Sequence, residues 1–265
     1  MAVLRAPRPP LAVMLAVWKA LFLREMVARI SQDRLAWVWM IFEPLAHIAL
    51  LAWLFTVGIR SRVIAGADTI VFIMLGILGF FLVRNIMNRG MDAVDSSDNL
   101  YAFRQIKPVD TVFVRALTGA FIECLIFLAI FAAAGLLDHP IYPADPLGAM
   151  LALGALWLLG FGLALSLSIP ATLVPEFGRM VRLLTTPFYF FSAVIFPSVK
   201  MPMFVRDIFL LNPILHGLES LRLAFMPTYL VPPGISLLYV YACALSLVFL
   251  GLVLHVRYRT HLMTI

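Results

Sequence analysis

Apolar runs of about twenty residues recur along this chain, and they limit its fold more than any other feature. A helix rises about 1.5 Å per residue, so about twenty apolar residues cross a hydrocarbon core about 30 Å thick. Helices satisfy their own backbone hydrogen bonds, which lipid cannot do for them. The runs lie at roughly 36–58, 69–88, 111–136, 147–169, 178–197 and 236–256. Composition agrees: 63% of residues are hydrophobic and 13% charged, against about 25% charged in a soluble domain. The remaining polar residues are too few to coat a soluble fold. The 265 residues hold six spans, short loops and little else, with no visible soluble domain, linker, low-complexity tract or internal repeat. The expected fold is an all-α membrane protein with one domain over 1–265.

The formal charge is +6. The basic residues flank apolar runs, so anionic lipid headgroups are the expected partner and nucleic acid is not. Fifteen of the twenty Lys and Arg fall in the N-terminal segment, in 84–115, in 176–182 and at the C-terminus. The positive-inside rule then places both termini in the cytoplasm, as six spans require. Residues 11–31 read as an interfacial helix: Val13, Val17, Ala20, Leu21 and Met26 interleave with Lys19, Arg24, Glu25 and Arg29. The early run LAVMLAVW (11–18) is broken by Lys19 and lacks a small-residue cleavage site, so it reads as a retained segment. Cys124 and Cys243 lie inside apolar runs and read as small buried hydrophobes, in neither a metal nor a disulfide spacing. Pro170 and Pro175 are expected to close the fourth span.

Residues 198–235 are too apolar for a loop and too interrupted for a crossing pair. MPMFVRDIFLLN (201–212) reads as one short amphipathic piece. Asn212 caps a second, with Pro213 at its first helical position and Pro227 ending it. The expectation is a re-entrant helix pair over 199–227, dipping in from the outer face. His216, Glu219 and Arg222 fall near one face of its second helix. They either border a water-filled exit path or form a structural Glu–Arg pair that pins the hairpin. Two further acids lie within spans. Glu43, four residues before His47, needs a partner from the N-terminal helix or the basic cluster; Glu123 is the other. Neither stands in a catalytic or metal-binding pattern.

An interfacial helix, six spans, a polar segment after the second and a helical pair before the sixth resemble the membrane subunit of an ABC type-2 exporter. FLREMVARISQDRLAWVWMIFEPLAHIAL (22–50) is similar to the opening of capsular polysaccharide export permeases of the Kps type. FRQIKPVDTVFVRALTGAFIE (103–123) and NPILHGLESLR (212–222) are similar to two further segments of that family. Ser31–Gln32–Asp33 stands where the family usually carries a basic, glycine-containing stretch. The resemblance implies a homodimer with two ATPase subunits in the bacterial inner membrane. It also implies a lipid-linked, usually acidic, capsular polysaccharide as cargo and a periplasmic co-polymerase-type protein to carry it onward.

The chain has no G-x-x-x-x-G-K-[ST] stretch, so ATP and Mg are expected on the partner ATPase. The expected contact is 91–107, where Asp92, Asp95, Asp98, Arg104 and Lys107 alternate with Leu100, Tyr101 and Phe103; a plain solvated loop is the other reading. Arg84, Arg89 and Arg115 cluster at the cytoplasmic ends of the second and third spans. They would form a basic vestibule for an acidic glycan or lipid phosphate, or serve as ordinary anchors. Tyr189 and Phe190 would line a sugar passage or simply pack. Competing readings keep the architecture but export O-antigen, teichoic acid or a drug. Others make the chain an intramembrane glycan-lipid transferase or a channel.

Overall fold

The computed structural model describes residues 9–31, 36–58, 63–103, 105–136 and 141–258. The chain builds helices α1 (Pro10–Ser31), α2 (Ala36–Trp53), α3 (Thr69–Met91), α4 (Pro108–Leu136) and α5 (Pro146–Leu173). Then come α6 (Pro175–Phe191), α7 (Met203–Phe209), α8 (Pro213–Phe225) and α9 (Leu237–Arg257). A five-residue π turn, Leu54–Gly58, extends α2. A two-residue ladder, β1 (Val63–Ile64) against β2 (Ala67–Asp68), precedes α3.

Among the described residues, five helices are long and apolar enough to cross a membrane: α2 with its π turn, α3, α4, α5 and α9. The chain is therefore a multi-pass membrane protein. α3 is its axis. Phe72, Ile73, Leu75, Ile77, Leu78 and Ile86 are fully buried, because α2, α4, α5 and α8 surround it. A helix hydrophobic on all faces belongs in a protein core or in lipid, and here neighbouring helices enclose it. α9 packs along α5. An aromatic file runs from α5 through α4 to α1: Trp157 stacks on Phe161 at 5.8 Å, Phe161 meets Phe113, and Phe113 meets Trp18 at 4.5 Å. Trp18 Nε1 also donates to Asp110 at 2.9 Å, fixing α1 to the start of α4.

Three sequence expectations are corrected. The fifth run forms a helix over 175–191, not 178–197. At 17 residues it is about 25 Å long, short of the core's roughly 30 Å. It stops because Ala193 takes a left-handed φ of 53°, a helix-ending conformation that glycine usually supplies. Pro170 does not close the fourth span: α5 continues past it to Leu173, with the Val174 N–H bonded to the Pro170 carbonyl at 2.9 Å. α9 packs alongside, and proline is tolerated inside a spanning helix where neighbours support it. The break falls at Val174, whose extended backbone is what the following Pro175 imposes. Cys124 is exposed, not buried, on an outward face of α4 it shares with Phe121, Leu125 and Leu128; Cys243 is half-buried.

The segment before α9 has the expected punctuation. Asn212 Oδ1 accepts from the Ile214 N–H at 3.0 Å and Pro213 opens α8. Met226, preceding Pro227, is extended and ends it. α7 and α8 meet at a 100° bend. The β1–β2 turn uses φ 50° at Ala65 and 85° at Gly66. The 226–231 segment lies over this turn, with the Leu230 N–H on the Ala65 carbonyl and Thr228 Oγ1 on the Gly66 carbonyl. A Cβ at Gly66 would overlap the Thr228 carbonyl oxygen.

Candidate functional site: two polar clusters in an apolar bundle

Charges inside so apolar a bundle need partners, and the fold supplies them in two places. The first joins α8 to the turn after α6. Glu219 and Arg222 are both fully buried. Arg222 Nη1 donates to Glu219 Oε1 at 3.2 Å and to the Ala193 carbonyl at 3.0 Å. Its Nη2 donates to the Val194 carbonyl at 2.7 Å. Ser198 Oγ donates to Glu219 Oε1 at 2.9 Å. The guanidinium lies 3.6 Å over the Phe72 ring, and it fits there because Gly76 has no Cβ to meet Nη2. Arg222 therefore satisfies carbonyls of the turn that follows α6. His216 takes a separate role. Its Nδ1 accepts from the Ser236 N–H at 3.0 Å, so Nε2 carries the proton and donates to the Leu210 carbonyl at 2.7 Å. The neutral ring bridges the end of α7 to the start of α9. Asn212 Nδ2 adds bonds to Ser192 Oγ and the Phe191 carbonyl.

The second cluster sits at the opposite end of α3. Glu43 on α2 accepts from Arg84 Nη2 at 2.7 Å. The Arg84 guanidinium lies 3.8 Å over Phe81 and also bonds Asn85 Oδ1. Asn85 Nδ2 donates to the buried Glu123 at 2.6 Å. One polar chain thus ties α2, α3 and α4 together. Glu25 on α1 faces Arg29 at 3.4 Å and Arg115 at 3.5 Å, and Arg115 Nη1 donates to the Arg89 carbonyl. Burial and the nearby positive charge of Arg89 push Arg29 down to about 10.

The remaining sequence candidates are placed as follows. Tyr189 points inward, its hydroxyl 3.4 Å from His47 Nε2, while Phe190 is half exposed. Asp92 pairs with Arg182 on α6 at 3.0 Å. Asp95, Asp98 and Leu100 lie on a 3₁₀ turn, Asp95–Leu100. Partial burial and Asp95 raise Asp98. Burial pushes Tyr101 up to about 12, and its hydroxyl lies 3.0 Å from Thr111 Oγ1. Phe103 is 64% exposed. Arg104 lies outside the described residues. Among those residues, no three His, Cys, Asp or Glu side chains converge as a metal site would need.

Asn85 and Ser198, missed in the sequence, link these clusters' charges. An Asn beside a mid-span arginine was the available signal for the first; nothing local marks the second.

Among the described residues, five helices able to span a membrane, tied to one another by polar contacts within the bundle, make a multi-pass membrane subunit. Residues 16–226 match the ABC-2 type transporter family, and the chain belongs to it. It is 31% identical over 242 residues to the polysialic acid transport protein KpsM of Escherichia coli, covering 91% of this chain and 92% of that one. It is 26% identical over 249 residues to the capsule polysaccharide export inner-membrane protein BexB of Haemophilus influenzae, covering 92% and 91%. It is 27% identical over 249 residues to the capsule polysaccharide export inner-membrane protein CtrC of Neisseria meningitidis, covering 91% of each.

Proposed function

We propose that this chain is the permease half of an ATP-driven exporter that moves a lipid-linked, acidic capsular polysaccharide outward across a bacterial inner membrane. The observation that carries this reading is the end-to-end likeness to KpsM, a protein named for the transport of an acidic polymer. The basic end of the bundle supports it, since Arg84, Arg89 and Arg115 concentrate positive charge where α3 ends and α4 begins. That end is cytoplasmic in this reading, and α6 together with the turn that follows it makes the remaining crossing, so both termini are inside. α1 lies in the inner interface. The α7–α8 pair is re-entrant from the outside, with His216, Glu219 and Arg222 as its internal fastening. Tyr189 and Phe190 flank the glycan path.

ATP and Mg bind on a separate ATPase, which docks on 91–107. The Asp92–Arg182 pair and the Tyr101–Thr111 contact hold that segment against the bundle. Phe103 is left outward for a partner groove. A second copy of the chain completes the pathway, a co-polymerase-type protein receives the glycan, and anionic lipids surround the basic end. Deleting the gene in its host tests the reading. Acidic polysaccharide should vanish from the surface and accumulate inside, and a plasmid copy should restore it. Unchanged surface polysaccharide in the deletion strain would refute it.

A further inference from the structure

A small cavity lies where α1 crosses α2, α3 and α4. Its polar wall carries Arg29, Arg89, Asn85, Glu43 and Glu123; its apolar wall is Met40, Pro44, Phe81, Gly119, Ile122 and Ile126. The volume is about 60 Å³. A cavity of that size holds more than one water, and the space admits a group of phosphate size.

The charges around it do not balance. Even with every carboxylate counted as ionised, Arg29, Arg84, Arg89 and Arg115 against Glu25, Glu43 and Glu123 leave at least one positive charge in excess. Glu43 is committed to Arg84 and Glu25 is shared by Arg29 and Arg115. The described residues hold no carboxylate in ion-pair contact with Arg89. The Arg29 side chain is 9% exposed, yet its Nη2 is buried without a hydrogen-bond partner among the described residues. The depression of Arg29 by burial and by Arg89 has the same origin: two guanidinium groups crowd one buried space.

We propose that this cavity is a phosphodiester site, in which Arg29 and Arg89 hold the headgroup phosphate of an anionic phospholipid from the adjoining leaflet. A phosphodiester carries one negative charge, the charge the cluster lacks. Planar guanidinium forks bind its oxygens in pairs. The depth suits a headgroup, because Arg89 lies two residues from the end of α3. α4, at 29 residues, is about 43 Å long and overshoots the roughly 30 Å core. Ile122 and Ile126 continue the wall towards the chains. This lipid would be a resident part of the fold, cementing α1 to the bundle. The inference does not depend on what the protein exports.

The test is native mass spectrometry on the full chain in detergent, titrated with phosphatidylglycerol or zwitterionic phosphatidylcholine. Wild type should bind one phosphatidylglycerol per chain at least tenfold more tightly than phosphatidylcholine. Arg29→Gln and Arg89→Gln should each weaken that binding about tenfold, and Arg89→Lys less, since it keeps the charge and loses the fork. Equal affinity for the two lipids in wild type, a measurement that needs no variant, would overturn the proposal. So would unchanged binding in the Arg29→Gln/Arg89→Gln double variant. Lipid carried through purification from a host that makes no glycan should be phospholipid. Occupancy only in a glycan-producing host, by a phosphate-bearing glycolipid, would assign the site to cargo and overturn the resident lipid.

Discussion

Replacing Arg222 by methionine keeps much of its volume and removes its charge and donors. Three losses follow from the geometry. Glu219, with no exposed surface, loses its charged partner and keeps the Ser198 hydroxyl at 2.9 Å. The Ala193 and Val194 carbonyls lose their guanidinium donors at 3.0 and 2.7 Å. The left-handed Ala193 loses the clamp across its turn. Breaking a buried pair by removing one partner costs about 3–5 kcal/mol, and each carbonyl stranded without a donor costs about 1–3 kcal/mol more. Taking roughly 5 kcal/mol, the low end of that sum, the thermal midpoint should fall by about 10–20 °C, at about 2–4 °C per kcal/mol for a chain of this size. Purified protein in mild detergent, followed by intrinsic fluorescence or by loss of the monodisperse peak on heating, reads this directly. Glu219→Leu/Arg222→Met should lie closer to wild type than Arg222→Met, because no charge is then left stranded. An Arg222→Met midpoint within about 2 °C of wild type, or a double variant as unstable as the sum of its single changes, would refute the clamp.

Three further outcomes follow from the same packing. Asn85→Leu removes the donor that Glu123 receives at 2.6 Å and should cost about 1–3 kcal/mol, the range for leaving a buried acceptor without its donor, read as a lower detergent melting midpoint. Gly66→Val places a branched residue at φ 85° against the Thr228 carbonyl. It should loosen the β1–β2 turn from the 226–231 segment, seen as faster amide exchange at Leu230. Tyr101 is raised to about 12 by burial, so its contribution is fully present below about 10, the ordinary value, and is lost as pH rises through 12. Wild type should therefore lose stability across that window relative to Tyr101→Phe, by melting in alkaline buffers.

The spans were legible because twenty-residue apolar length is a local property. So was the start of α8, since an Asn-Pro cap acts on residues two or three positions away. The need of Glu43 for a partner could be read, and the partner is Arg84 from the basic cluster. The carbonyl partners of Arg222 could not, because they lie 28 and 29 residues back in a turn that local periodicity does not mark. The short α6 was missed for the same reason: residues 192–197 are as apolar as a span, yet the chain turns there under the hold of Arg222. Pro170 misled because a helix-breaking preference yields where a neighbouring helix supports the backbone. Cys124 misled because an apolar side chain in a membrane protein faces lipid as readily as core.

The central claim is that this chain works as the membrane half of an ATP-driven exporter. The most direct measurement is to tag it in its own host, extract it gently and identify what copurifies by mass spectrometry. The account predicts a stoichiometric subunit carrying a P-loop, lost when the outward apolar side chain of Phe103 is replaced by Asp. Recovery of the intact chain by itself, with no such subunit, would contradict it.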